Sequence, residues 1–155
     1  FCFGGRFKVF CQKYNEELDR HYSLWQEYNY VYSEWAKNRG LSINSLLVLY
    51  ALYYTNECYT QKKLSQRWLI PKQTVNKVLK EFQIQGLVKL QQQKEDRRNK
   101  AILLTDSGRK YAEPIILELR TLELSAMKNL GIEKMQILND IMSSYIEIFR
   151  NTGDK

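Results

Sequence analysis

Apolar side chains recur in alternating steps of four and three along two separate stretches of this chain, and no other feature restricts its folding as much. The first stretch is Tyr14, Leu18, His21, Trp25, Tyr28, Tyr32 and Trp35, widened by Leu24 and Val31; the second is Met135, Leu138, Met142, Tyr145 and Phe149. A mean step of about 3.5 keeps such a set on one helix face, so each stretch predicts a long helix with an apolar seam. Asn38-Arg39-Gly40 ends the first helix, with Gly40 supplying a left-handed cap. A chain of 155 residues has too little core to cover both seams, and they are expected to bury against a second copy. His21 lies on the first seam and reads as a packing residue rather than a ligand or pH switch.

Between the seams the pattern changes to short elements. Ser42 predicts the cap of a second helix, Ile43 to about Tyr54, whose Leu46, Leu47, Leu49, Tyr50 and Tyr53 make it apolar nearly all round. Asn56 to Tyr59 reads as a break, and Thr60 as the cap of a short basic helix that turns Leu64 and Trp68 inward and ends near Trp68. Leu69-Ile70-Pro71 is a turn, with Pro71 in the first turn of a fourth helix, where its fixed φ and missing N–H do no harm. That helix runs to Gln85 and stops at Gly86. Val75, Val78, Leu79 and Phe82 form its inner stripe, which leaves Lys72, Gln73, Thr74, Asn76, Lys77 and Lys80 on its outer side and leading end. Leu87–Leu90 and Ala101–Leu104 predict two strands around a polar, charged tip, Gln91 to Lys100. Thr105 caps the next helix, with Asp106 in its first turn, and that helix continues to about Met127 past a kink or irregularity at Pro114.

The architecture expected is mainly α with a small β-hairpin wing: a winged helix-turn-helix with long N- and C-terminal dimerisation helices. One subunit occupies 1–155, with dimerisation helices over 12–39 and 106–151 and a DNA-binding lobe over 42–105.

Charge is segregated in the same way. Thirteen of the twenty-four basic residues fall between Thr60 and Lys110, against four acidic ones, so this third of the chain carries about +9 while the remainder is slightly acidic. A surface of that kind suits a polyanion, since each Lys or Arg that pairs with a phosphate releases a condensed counterion. The hydrophobic share of 44% and charged share of 26% are those of a folded soluble protein. No apolar stretch is long enough for a membrane span, and Phe1 to Gly5 do not resemble a cleavable signal, so a cytoplasmic location is expected. Cys2, Cys11 and Cys58 with the single histidine cannot build a zinc site, and no cofactor is expected. An enzyme is excluded as a reading because no Gly-rich phosphate loop, nucleophile elbow or paired catalytic motif is present.

The helix-turn-helix from Gln61 to Gly86, followed by Glu95-Asp96-Arg97-Arg98-Asn99-Lys100-Ala101-Ile102-Leu103-Leu104-Thr105-Asp106-Ser107-Gly108, resembles the multiple-antibiotic-resistance regulator (MarR) family. The specific elements are Asp-x-Arg at Asp96 and Arg98, Leu-Thr-x-x-Gly from Leu104 to Gly108, and Pro-Lys-Gln-Thr-Val-Asn from Pro71 to Asn76. The resemblance spans about Tyr14 to Arg150. It implies a homodimer that sets two recognition helices into successive major grooves of a pseudo-palindromic operator, and repression relieved by a small aromatic effector bound between the dimerisation helices and the lobe.

Site residues follow from both readings. Gln73, Thr74, Asn76 and Lys77 stand where base edges can be reached, with Gln73, Thr74 and Lys77 expected to read them directly. Lys62, Lys63, Lys72, Lys80, Lys94 and Lys100 are expected on phosphates. The resemblance places Arg97 and Arg98 in the minor groove, with Asp96 holding an arginine in position. Trp25, Tyr28, Tyr32, Trp35, Tyr50, Tyr53, Tyr54 and Tyr111 are candidates for an aromatic effector cleft, each competing with a plain packing role. Cys11, placed ahead of the first helix, lies roughly where peroxide-sensing relatives carry a reactive thiol, but its context does not match that branch. The alternative to an operator-binding regulator is a winged-helix protein- or RNA-interaction module.

Overall fold

The computed structural model describes residues 5–54, 59–92 and 100–153. Its elements are α1 (Gly5–Lys37), α2 (Ile43–Tyr54), α3 (Gln61–Trp68), α4 (Lys72–Ile84), β1 (Val88–Gln92), β2 (Lys100–Leu104), α5 (Asp106–Leu130) and α6 (Ile132–Gly153). The order is that of a winged helix-turn-helix between long terminal helices, as the sequence predicts.

Helix ends are set by the residues expected to set them. Gly40, at φ +71, closes α1 while the Leu41 amide returns to the Ala36 carbonyl. The Ser42 hydroxyl accepts from the Ser45 amide at 3.0 Å to start α2, and Thr60 accepts from the Lys63 amide at 3.2 Å to start α3. One difference concerns Pro71. It occupies the N-cap of α4 with an extended ψ of 138°, so the helix begins one residue later, at Lys72. A second concerns Cys11, which lies inside α1, because the helix starts at Gly5 rather than beyond the cysteine.

The core gathers round α2, which touches α1, α3, α4, α5 and β2. Leu46, Val48 and Leu49 are buried there with Leu64 of α3, Val75, Val78 and Phe82 of α4, and Ala112 and Ile116 of α5. At about 1.5–3 kcal/mol for each fully buried aliphatic or aromatic side chain, this cluster supplies the main driving force for folding the lobe.

β1 and β2 pair antiparallel from Val88↔Leu104 to Gln92↔Lys100. Each strand differs from the expected span by a residue or two, β1 because the tight turn at Gly86 carries through Leu87 before pairing begins. Tyr59 adds a bridge on the far side of β2, its carbonyl accepting from the Ile102 amide at 2.7 Å. The reading of Asn56–Tyr59 as a plain break therefore misses a residue that pins α3 to the wing. The α5 helix is unbroken through Pro114 and reaches Leu130. The ring removes the amide partner of the Lys110 carbonyl, and both residues are exposed, where that carbonyl is open to solvent.

The terminal helices bury little within one chain. α6 has no buried residue, and Ala36 is the only buried position among the described side chains of α1. His21 packs its ring 5.1 Å from that of Tyr145, which joins the two seams in agreement with a packing role for the histidine. No helix of the described residues is long and apolar enough to cross a membrane.

Candidate nucleic-acid interface

The α4 helix faces inward with Val75, Val78, Leu79 and Phe82, and this fixes what it shows on the other side. Lys72, Gln73, Asn76, Lys77 and Lys80 are exposed, and Thr74 is half-buried at the edge of the inner stripe. Lys62 and Lys63 of α3 and Lys100 at the start of β2 are exposed as well. Lys94, Asp96, Arg97 and Arg98 lie outside the described residues.

Nothing in the described lobe neutralises these cations. The ion pairs among the described residues are Arg20–Glu17, Lys37–Glu34, Arg39–Glu118 and Arg120–Glu123, all in α1, its terminal turn or α5. No side chain caps the first amides of α4, so the positive end of its dipole adds to Lys72 and Lys77. Backbone amides and lysines that no described carboxylate neutralises suit a polyanion, and polar residues stand between them on α4.

Behind this face a cleft of about 610 Å³ opens between α1, α2, α3, α5 and α6. Tyr28 and Tyr32, Leu47 and Tyr50, Trp68, Arg120 and Glu123, and Met127, Met135 and Leu138 are among its walls. Of the eight aromatic residues proposed for an effector, Tyr28, Tyr32 and Tyr50 meet there. The other five do not line it. Trp35 lies beneath the Arg39 guanidinium, 3.7 Å from its ring centre, while Arg39 also bonds Glu118. Tyr53 donates to Glu113 at 3.3 Å, Tyr54 packs on the rings of Tyr50 and Tyr53, Tyr111 lies against the core, and Trp25 is exposed on α1.

Sequence reasoning missed Trp68, Arg120 and Glu123 in this cleft. The two charged residues stand at i and i+3 on a helix read only for its apolar stripe. Within the cleft the Tyr32 hydroxyl donates to Glu123 at 3.1 Å, and Arg120 donates to the Tyr50 hydroxyl at 3.4 Å. Burial pushes the Tyr32 phenol far above its ordinary range, and hydrogen bonding with Tyr28 and the nearby Glu123 carboxylate push the same way. Burial also raises Tyr50, against the opposing pull of Arg120. Both hydroxyls therefore stay protonated at neutral pH. No cluster of metal-ligating side chains occurs among the described residues.

Residues 39–99 match the model of the MarR family. An uncharacterised HTH-type transcriptional regulator of Bacillus subtilis is 28% identical over 104 residues, which are 67% of this chain and 63% of that protein, so the match spans less than two thirds of the relative's length. A MarR family regulator from Neisseria meningitidis superposes with a TM-score of 0.76 at 29% identity, over 88% of this chain and 95% of that one. Two Staphylococcus aureus structures share the fold at lower identity. A MepR–DNA complex has a TM-score of 0.70 at 18% identity, over 81% of this chain and 95% of that one. A MarR bound to salicylate and kanamycin has a TM-score of 0.67 at 21% identity, over 94% of this chain and 96% of that one.

Proposed function

The chain belongs to the MarR family of transcriptional regulators, and from that premise we propose that it is a sequence-specific duplex-DNA-binding repressor that acts as a homodimer in the cytoplasm. The observation that carries this reading is the outer face of α4, where Lys72, Gln73, Asn76, Lys77 and Lys80 are exposed and no carboxylate of the described lobe pairs with them.

In this reading two copies join through the apolar faces of α1 and α6, where Leu18 and Trp25 of α1 and Leu138 and Phe149 of α6 are exposed in one chain. The joined pair presents two α4 helices to successive major grooves, about one helical turn apart. Gln73 pairs in bidentate fashion with adenine, Lys77 donates to guanine, and Thr74 touches a thymine methyl, with Asn76 beside them. Lys62, Lys63, Lys72, Lys80, Lys94 and Lys100 hold phosphates. Arg97 and Arg98 enter the flanking minor groove, with Asp96 orienting one of them.

The cleft behind α4 is the proposed effector site. Its walls are the rings of Tyr28, Tyr32, Tyr50 and Trp68, and Arg120 with the Tyr50 hydroxyl supplies donors for an oxygen of a flat, aromatic ligand. Because α1, α5 and α6 contribute walls along with α2 and α3, a ligand that prefers one spacing of these helices shifts the population of lobe arrangements that fit the operator.

Selection of bound sequences from a random duplex pool tests the reading. The expected product is an inverted repeat with half-sites about one turn apart. Recovery of no preferred duplex, together with equal or tighter binding to single-stranded RNA, would instead favour an RNA- or protein-interaction module.

A further inference from the structure

We infer that Gln61 is a positioning residue for the reading face of α4: its side-chain amide donates to the Lys72 carbonyl oxygen at 3.0 Å and fixes the end of the helix that enters the groove. This rests on the reading of α4 as the DNA-reading element.

The leading turn of α4 has little else to hold it. Pro71, Lys72 and Gln73 are exposed, and Val75 is the first residue of the helix to be buried. No side chain caps its amides. Upstream, Ile70 is buried and its carbonyl accepts from the Ser65 hydroxyl at 2.7 Å, but that anchor lies before Pro71. Gln61 donates the one side-chain hydrogen bond that reaches from another element past Pro71 into α4 among the described residues.

The chemistry of the contact is unambiguous in direction. A carbonyl oxygen only accepts, so the amide nitrogen of Gln61 faces it. That oxygen has two lone pairs, so Gln61 fills one without taking the helical bond from the other.

Gln61 is itself held on its other side. It follows the Thr60 cap, and Tyr59 just before it accepts from the Ile102 amide of β2 at 2.7 Å. A continuous run therefore leads from the base of the wing through Tyr59, Thr60 and Gln61 to the first residue of α4. Base readout depends on the reading side chains being held within about 0.5 Å of their productive positions. A link that joins the wing to the leading end sets the distance between the two parts that would grip the duplex.

The test compares the full-length wild type with Gln61→Met, which keeps the side-chain length but lacks the donor, and Gln61→Glu, which turns a carboxylate toward the carbonyl. Fluorescence anisotropy gives the affinity of each for the selected operator and for a random duplex of equal length. The expected result for Gln61→Met is a fall of about tenfold in the operator-to-random ratio, with random-duplex affinity nearly unchanged, and a larger fall in that ratio for Gln61→Glu. Hydrogen exchange, without DNA, should be faster at the amides of 75–77, the first that the helix itself bonds, in Gln61→Met while the core amides of α2 keep their protection. An unchanged ratio in both variants, or unchanged exchange at 75–77, would overturn the inference while the DNA reading stands. A wild type with no operator preference would overturn the DNA reading itself.

Discussion

A Cβ added at Gly108 would lie 1.9 Å from the carbonyl oxygen of Leu87. The first turn of α5 thus presses directly on the backbone that leaves α4, and no side chain fits between them. Thr105 completes the contact. Its hydroxyl donates to the Gly86 carbonyl at 2.6 Å and accepts from the Gly108 amide at 2.9 Å, while its own amide bonds Leu87 at 3.0 Å. The Leu-Thr-x-x-Gly string is therefore a packing device: the Thr caps, and the Gly permits the approach.

Gly108→Ala is expected to destabilise the fold by about 1–3 kcal/mol, toward the upper end because backbone rather than a flexible side chain must move. Thermal unfolding followed by circular dichroism should show a melting point lowered by several degrees. A variant that melts with the wild type would mean that the two backbones are not in this contact.

Leu69 takes φ +53 with its side chain 84% exposed, so its left-handed backbone is bought with almost no packing. Leu69→Gly should stabilise the protein by up to about 1 kcal/mol, since the left-handed penalty disappears and the added freedom of the unfolded chain only partly offsets it. Urea titration reads the difference. A loss of stability would show that the leucine packs on something.

Operator binding should weaken steeply with salt, and Lys80→Ala should lower the slope of log affinity against log salt by about 1, with a similar loss on every sequence. Gln73→Ala should behave differently, losing about 1–3 kcal/mol of discrimination at one base position. Anisotropy titrations at several salt concentrations and against single-base operator variants separate the two. Equal losses from Gln73→Ala on all variants would remove its reading role.

Tyr32 has its phenol raised by burial, with Tyr28 and Glu123 adding to the shift. A phenol that ionises less readily folded than unfolded contributes stability that is complete below the unfolded value near 10 and is lost as pH climbs above it. Stability should therefore fall above about pH 10, and less steeply in Tyr32→Phe. Absorbance at alkaline pH, compared between the wild type and Tyr32→Phe, should assign to Tyr32 an ionisation above the ordinary phenol range. Its ionisation within the ordinary phenol range would contradict a half-buried hydroxyl bonded to Glu123.

The order of elements was legible because each signal is local. Gly40, Ser42, Thr60 and Gly86 act within a few residues of themselves, as does the cap that Thr105 gives Gly108, and the α4 inner stripe follows from spacing alone. What depends on distant partners was not legible. Tyr59 joins β2 across some forty residues, which no periodicity reports. Trp35 and Tyr28 occupy one seam, yet only Tyr28 reaches the cleft, because Arg39 and Glu118 close over Trp35. Arg120 and Glu123 meet the cleft only through Tyr50 of α2 and Tyr32 of α1, partners that lie far off in the chain.

Under the proposed homodimer, the absence of any buried side chain on α6 makes the concentration of the protein a structural variable. In that dimer, apolar surface that a solitary chain leaves in water is withdrawn by the second copy, so the free energy holding α6 in place grows with protein concentration. Dilution, which breaks no bond inside the chain, then acts on this fold as urea does.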